Sequence, residues 1–184
     1  MPPSAVCLKN LLRRFRRHRR GSAAVEFALV APVFFALLFA IVEVAVMFFA
    51  SQVLETVTQS AARYLLTGQA QSGSMTQAQF KTYVCGQIPA LFTCANLKVN
   101  VQSYPAFGSI GITSVFDGNG NFTGATNYCP GNRGDTVFVQ LSYQWPLFVT
   151  GLGFNMSNPG TTKKWLTATA AFQNEPFSAP ASGC

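Results

Sequence analysis

The residues of this chain that could do chemistry are few. Its one histidine, His18, stands in a run of arginines near the N-terminus. Beyond it there is no imidazole for a catalytic triad, a general base or a histidine-bearing zinc site. Asp117, Asp135 and Glu175 are the exported acids outside the long N-terminal helix, and nothing in their spacing suggests an acid pair. No phosphate loop or dinucleotide fingerprint occurs. Asp117-Gly118-Asn119-Gly120-Asn121 opens like a calcium loop, but Phe122 stands at its sixth position and Tyr128 at its twelfth. With one carboxylate in the stretch it reads as a turn-rich loop. The expectation is a protein that is not an enzyme and carries no cofactor or metal.

Two spacings do imply chemistry. Gly21-Ser22-Ala23-Ala24-Val25-Glu26-Phe27 follows a basic leader and places an acid at the fifth residue after the glycine, then an aromatic and an uninterrupted apolar run. This resembles the site cut by prepilin peptidases, which remove the leader between Gly21 and Ser22 and leave the apolar helix in place. The second spacing is among the cysteines, Cys7, Cys85, Cys94, Cys129 and Cys184. If residues beyond the apolar run are exported, four cysteines face an oxidising compartment while Cys7 stays reduced. Of the three pairings open to four cysteines, Cys85 with Cys94 closes a short loop around Pro89, leaving Cys129 with Cys184. Four unpaired thiols is the alternative.

The elements that must carry these residues follow from charge and periodicity. The chain has 184 residues, is 49% hydrophobic and only 10% charged, well below the charge of an ordinary soluble domain. Its net charge of +7 is local. Lys9, Arg13, Arg14, Arg16, Arg17, Arg19 and Arg20 precede Gly21 with no acid among them, whereas Lys/Arg and Asp/Glu balance over residues 22–184. A cationic cluster directly before an apolar run places residues 1–21 in the cytoplasm, with attraction to membrane lipid. It does not lead into a nucleic-acid reader.

Phe27–Ala50 is 24 residues with one charge, Glu43, a helix of about 36 Å against an apolar bilayer core of about 30 Å. Ordinary signal cleavage after Ala50 or Ser51 would put Phe48 or Phe49 at the −3 position, where a small residue is needed. Pro32 should kink or locally melt the helix. Glu43, an acid in the outer third, marks a partner, a polar pathway or a snorkelling side chain.

Ser51–Thr67 continues as an amphipathic helix, with Val53, Leu54, Val57, Ala61, Tyr64 and Leu65 opposite Gln52, Glu55, Thr56, Gln59 and Arg63, and Gly68 as its cap. Residues 69–75 read as a polar linker. Thr76–Phe92 reads as a second helix, with Thr76 as N-cap, Phe80, Tyr83, Val84, Ile88 and Leu91 on one face, and Pro89 as breaker. Strands are expected at Leu97–Tyr104, Ser109–Phe116, Asp135–Trp145 and Trp165–Phe172, the third half-buried, with a long exposed loop at 117–134. The predicted fold is α+β: a long N-terminal transmembrane and stalk helix followed by a short helix and an antiparallel sheet. The domain division is a removed leader over 1–21, a transmembrane helix over 22–50, a stalk over 51–68 and a periplasmic domain over 69–184.

GSAAVEFALVAPVFFALLFAIVE (Gly21–Glu43), VCGQIPALFTC (Val84–Cys94) and LTATAAFQNEPF (Leu166–Phe177) together resemble the TadE-like proteins of the tight-adherence (Flp, type IVb) pilus system, which are minor pilins or pseudopilins. The tail past Phe177 and the loop at 117–134 do not match that pattern. The resemblance implies a pilin-like fold and a single-pass protein of the bacterial inner membrane, N-terminus cytoplasmic and C-terminal domain periplasmic. It also implies processing by a prepilin peptidase and a part in assembling an adhesive pilus, with incorporation into the fibre. Its implied partners are the prepilin peptidase, the major pilin, other minor pilins and the inner-membrane assembly platform. Glu26 and Phe27 would serve assembly, Glu26 meeting the N-terminal amine of a neighbouring subunit, and Pro32 would loosen the helix during packing. Two other readings share the architecture: a pseudopilin of a type II secretion system, and a signal-anchored periplasmic binding domain that never enters a fibre.

Overall fold

The computed structural model describes residues 21–88, 91–111, 115–124, 126–148, 156–158 and 163–178. The leader with Cys7 and His18, the breaker Pro89 and the pairing candidate Cys184 lie outside the described residues. The chain divides after Val42 into two compact units, 1–42 and 43–184. Helix α1 (Ser22–Leu66, 45 residues) contributes to both.

In the first unit, Val25, Phe27, Leu29, Val30, Val33 and Phe34 are all more than half exposed. Neighbours on a helix point about 100° apart, so exposure of adjacent pairs such as Leu29–Val30 means that α1 is apolar and uncovered on every side here. It is long and apolar enough to cross a membrane. Pro32 lies inside α1, which is helical throughout. Of the two expectations for Pro32, a kink or local melting, melting is not seen: one absent N–H leaves the hydrogen bonds of the adjoining turns in place.

In the second unit α1 becomes one-sided. Leu54, Val57, Ala61 and Leu65 are buried, whereas Gln52, Glu55, Thr56, Gln59 and Arg63 are exposed. Thr58 is also buried, its hydroxyl donating to the Leu54 carbonyl at 2.7 Å. α1 gives way at Gly68, whose φ of 74° is left-handed, where glycine avoids the Cβ penalty. A side chain there would also collide with the Phe177 ring, because the C-terminal segment crosses this corner and the Glu175 amide donates to the Leu66 carbonyl at 3.0 Å.

Residues 69–75 are not a free linker. Gln69–Ser72 forms one helical turn, α2, which buries Ala70 and Gln71. α3 (Gln77–Gln87) starts at Thr76 in a reciprocal capping box with Gln79 and is shorter than the 76–92 predicted. Ile88 is extended, with ψ of 128°, as expected for the residue before a proline. Phe80 and Val84 are buried, but Leu91, expected on the same face, is 45% exposed because the helix has ended.

Cys85 and Cys94 are joined by a disulfide with a Cα–Cα distance of 5.7 Å. The closed loop sets the Phe92 ring edge-on to Tyr143 and Trp145 and brings the Thr93 amide 3.1 Å from the Tyr143 hydroxyl, which accepts from it. Replacing both cysteines by serine is expected to lower stability by about 2–3 kcal/mol on the chain-entropy estimate. Chemical denaturation of the full chain in detergent checks this; an unchanged midpoint would mean that ring packing alone holds the loop.

Three strands form one antiparallel sheet in the order β1-β2-β3: β1 (Leu97–Tyr104), β2 (Thr136–Pro146) and β3 (Lys163–Gln173). The architecture is α+β. Of the strand expected at Ser109–Phe116, residues 112–114 lie outside the described residues, and the described ends form no strand. Phe107–Ser109 is a 3-10 turn, and Phe116 makes only an isolated bridge to Phe122. Gly108 and Gly111 weaken strand propensity here.

Val99, Leu141 and Ala168 align across the sheet, as do Val101, Val139 and Ala170. Val99, Val101, Val139, Leu141 and Ala168 belong to the same core as Leu54, Val57, Ala61, Leu65 and Phe80. β2 is not half-buried as predicted: Phe138, Gln140 and Ser142, on its other face, are buried too. The loop expected to be exposed at 117–134 folds back over that face. Phe116 stacks on Trp165 at 4.8 Å, Phe122 lies 5.6 Å from the same ring, and Lys98 stands 5.9 Å over Phe122. Farther on, Tyr128 bridges Val101 on β1, and Pro130 and Gly131 are buried.

Candidate functional site

The candidate site is the first half of α1 rather than a pocket. Gly21 stands exposed at the start of the helix, and a side chain placed there would meet nothing within 4 Å. Ser22 begins α1 and Glu26 follows one turn later. Glu26 is exposed, and Phe27 beside it is 68% exposed. A carboxylate near a helix start favours the helix dipole, but its immediate surroundings on α1 are Ala23, Ala24, Val25, Phe27 and Val30. The surface offered to a neighbour is therefore apolar, with a single acid near its N-terminal end.

Glu43 has a protein partner. Its carboxylate accepts a hydrogen bond from the backbone N–H of Phe148, just past the end of β2. Sequence alone left the choice among a partner, a polar pathway and snorkelling. A partner more than a hundred residues away carries no local signal.

The polar residues of the domain serve its own fold. The Asp117 carboxylate accepts from the amides of Asn119 at 2.9 Å and Asn121 at 2.7 Å, and from the Asn121 side chain at 2.9 Å. The Asn121 side-chain bond, then its backbone bond, hold the Asp117 carboxyl below its usual range despite some desolvation. Asp135 accepts from the Asn132 amide at 2.7 Å and from the Ser103 hydroxyl at 3.3 Å. Among the described residues no group of three His, Cys, Asp or Glu could hold a metal. Cys129 is disulfide-bonded; Cys184 lies outside the described residues.

Tyr128 packs 5.4 Å from the Phe80 ring, and its buried hydroxyl has no hydrogen-bond partner among the described residues. Burial, aided by the nearby Tyr64 phenol, pushes its pKa from 10.0 up to about 12. A raised folded pKa means that this stabilising contribution is complete below pH 10 and is lost as pH rises through about 12. Stability is therefore expected to fall as pH rises between those values. Tyr128→Phe, which removes an unsatisfied hydroxyl while keeping the ring, is expected to leave neutral stability unchanged or slightly raised and to move alkaline unfolding upward. Circular dichroism against pH checks both; an unmoved alkaline transition would assign it elsewhere.

A family model described as TadE-like protein matches residues 21–63. That segment is TadE-like. The match starts at Gly21 and ends at Arg63, within the last turn of α1. The match covers 43 of the chain's 184 residues. The TadE-like segment thus includes Gly21, Ser22, Glu26, Phe27, Pro32 and Glu43, and excludes the cysteines and the sheet. No match was found among curated proteins or among solved structures.

Proposed function

We propose that this chain is a minor pilin or pseudopilin that takes part in assembling a Tad pilus. In this reading it is inserted in the inner membrane by α1, with residues 1–21 in the cytoplasm and the α+β domain in the periplasm. A prepilin peptidase removes the leader after Gly21. Its partners are the major pilin, other minor pilins and the assembly platform, and its role is non-enzymatic. The observation that carries the reading is the TadE-like match itself, which begins at Gly21 and follows α1. Two features support it. The first part of α1 is apolar and exposed on all sides, a surface suited to lipid first and to neighbouring helices afterwards. The disulfide of the α+β domain accords with an oxidising compartment.

The test is N-terminal sequencing of the membrane-embedded protein from cells with an active prepilin peptidase. The mature chain is expected to begin at Ser22. Gly21→Leu is expected to abolish shortening, because a branched side chain replaces hydrogen at the cleaved residue. A chain that keeps its leader beside an active peptidase would turn the reading toward a signal-anchored domain that never joins a fibre.

A further inference from the structure

Among the described residues the chain covers one edge of its sheet and leaves most of the other open. On β1, residues 127–129 lie alongside as an added strand. Tyr128 bridges Val101 in parallel, the Val101 N–H donates to the Asn127 carbonyl at 2.9 Å, and the Val101 carbonyl accepts from the Cys129 N–H at 2.9 Å. β3 pairs with β2 on one side. On its other side the Trp165 N–H donates to the Asn158 side-chain carbonyl, and the Lys163 carbonyl accepts from the Asn158 N–H, both at 2.9 Å.

Those two bonds fix the phase of the whole strand, because the backbone groups of alternate residues point to opposite sides of it. Thr167, Thr169, Ala171 and Gln173 therefore also turn N–H and C=O away from β2. Among the described residues, the backbone groups of Thr167, Thr169 and Ala171 meet no partner on that side. The side chains of all four are exposed. From Trp165 to Asn174 the sequence is WLTATAAFQN, without a charge, a glycine or a proline. Charges, prolines and bulges are the devices that keep edge strands from pairing. Here Lys163, Lys164, Glu175 and Pro176 stand only beyond the two ends.

We propose that the open edge of β3, Trp165–Gln173, is a strand-addition site that takes an extended, uncharged segment of another pilus subunit. The edge offers a row of backbone donors and acceptors, and extended backbone is what matches a row of that spacing. The small side chains of Thr167, Thr169 and Ala171 leave room for a strand about 4.8 Å away, and their lack of charge selects an uncharged neighbour. Residues 127–129, likewise uncharged, show the same mode of pairing at β1. A second copy of β3 does not suit. Leu54, Val57, Ala61 and Leu65 of α1 share a core with the other face of the sheet, so pairing two β3 edges about a two-fold axis would run the two stalks in opposite directions. On the proposed topology, two chains leaving one membrane carry their stalks in the same direction. The donor's identity as a pilus subunit rests on the proposed function; the open edge does not.

The experiment places p-benzoylphenylalanine in turn at Thr167, Thr169 and Ala171 of the full chain, in cells expressing the complete set of pilus genes. Adducts are mapped by mass spectrometry after irradiation. The expected result is one donor protein, labelled at residues that step two apart as the probe moves along β3, since side chains on one face of a strand recur every second residue. Thr169→Pro removes an outward N–H and leaves the ladder with β2 intact, and is expected to lower the yield at 167 about tenfold. Thr169→Lys, which keeps the backbone and adds an edge charge, should act alike, with circular dichroism showing that the variants are folded. Four outcomes would overturn the proposal: adducts to a second copy of this chain alone, labels with no two-residue step, no protein adduct at any of the three positions, or parent yield from both Thr169 variants. N-terminal sequencing of the same material separates this inference from the pilin reading. A leader retained beside an active peptidase, with the two-residue ladder present, refutes the pilin role and leaves the strand-addition site. A mature chain without the ladder refutes the site alone.

Discussion

A chain carrying Glu26→Gln is expected to insert and lose its leader like the parent, yet to fail to co-purify with other pilins and to lower fibre number. Glu26 is the one acid on the first five turns of α1, where Phe27, Leu29 and Val30 are all exposed. Packing that surface against other helices removes water from the carboxylate, and an unpaired charge in such a setting costs several kcal/mol. On the proposed processing, the leader's arginines depart with residues 1–21. The cation that remains near this level is the amine of Ser22, on the same chain or a neighbour. Pairing with a neighbour's amine would fix the axial register of an incoming subunit, while the apolar surface supplies contact area without selecting a height. Glutamine keeps the size and helix propensity and loses only the charge. The competing role, a favourable helix-dipole interaction, is worth about 0.3–1 kcal/mol, too little to abolish assembly. Parent-like piliation by the glutamine variant would leave Glu26 as a helix-start residue and nothing more.

Phe80→Ala is expected to destabilise the α+β domain by about 3–5 kcal/mol, a large fraction of what holds a domain of this size together. The side chain is fully buried. Its ring lies 6.3 Å from Tyr83 and 5.4 Å from Tyr128, so truncation removes a shared wall between α3 and the segment that edges β1. Phe107→Ala, at an exposed position, should stay within about 0.5 kcal/mol of the parent. Denaturation of both variants in detergent reads the difference. Similar midpoints would show that neighbouring rings collapse into the space and that Phe80 is not central to the core.

Features with a period were legible in the sequence. Leu54, Val57, Ala61 and Leu65 recur at helical spacing, and Val137, Val139, Leu141, Tyr143 and Trp145 alternate along β2; all nine are buried. Thr76 signalled the start of α3 through its residue type. Among the candidate site residues, Gly21 and Glu26 stood out because their spacing lies along one segment, and both fall inside the matched residues 21–63. The cover over the second face of β2 was not readable. It depends on Phe116 and Phe122 meeting Trp165, three rings from separate stretches with no common repeat. The same holds for Gln71 and Asn174, polar residues buried because both amides donate to the Pro130 carbonyl, at 2.8 and 2.9 Å. Phe148 meeting Glu43 belongs with them: one acid and one amide, brought together only by the finished sheet.

The crossing of the C-terminal segment over the end of α1 has a consequence for the order in which the domain forms. Leu66 and Gly68 precede α3 and every strand, whereas the Glu175 amide and Phe177 ring that cover them follow β3. The loop closed by this contact contains nearly the whole domain, so its entropy must be met by the sheet and core before the contact gains anything. On the proposed topology, the helix enters the bilayer during synthesis while its downstream corner still lacks that cover, and the corner closes only after the last strand has crossed. On that topology, completion of export and completion of folding coincide: a chain halted in transit keeps an open, unlatched domain, and one that has fully emerged can lock.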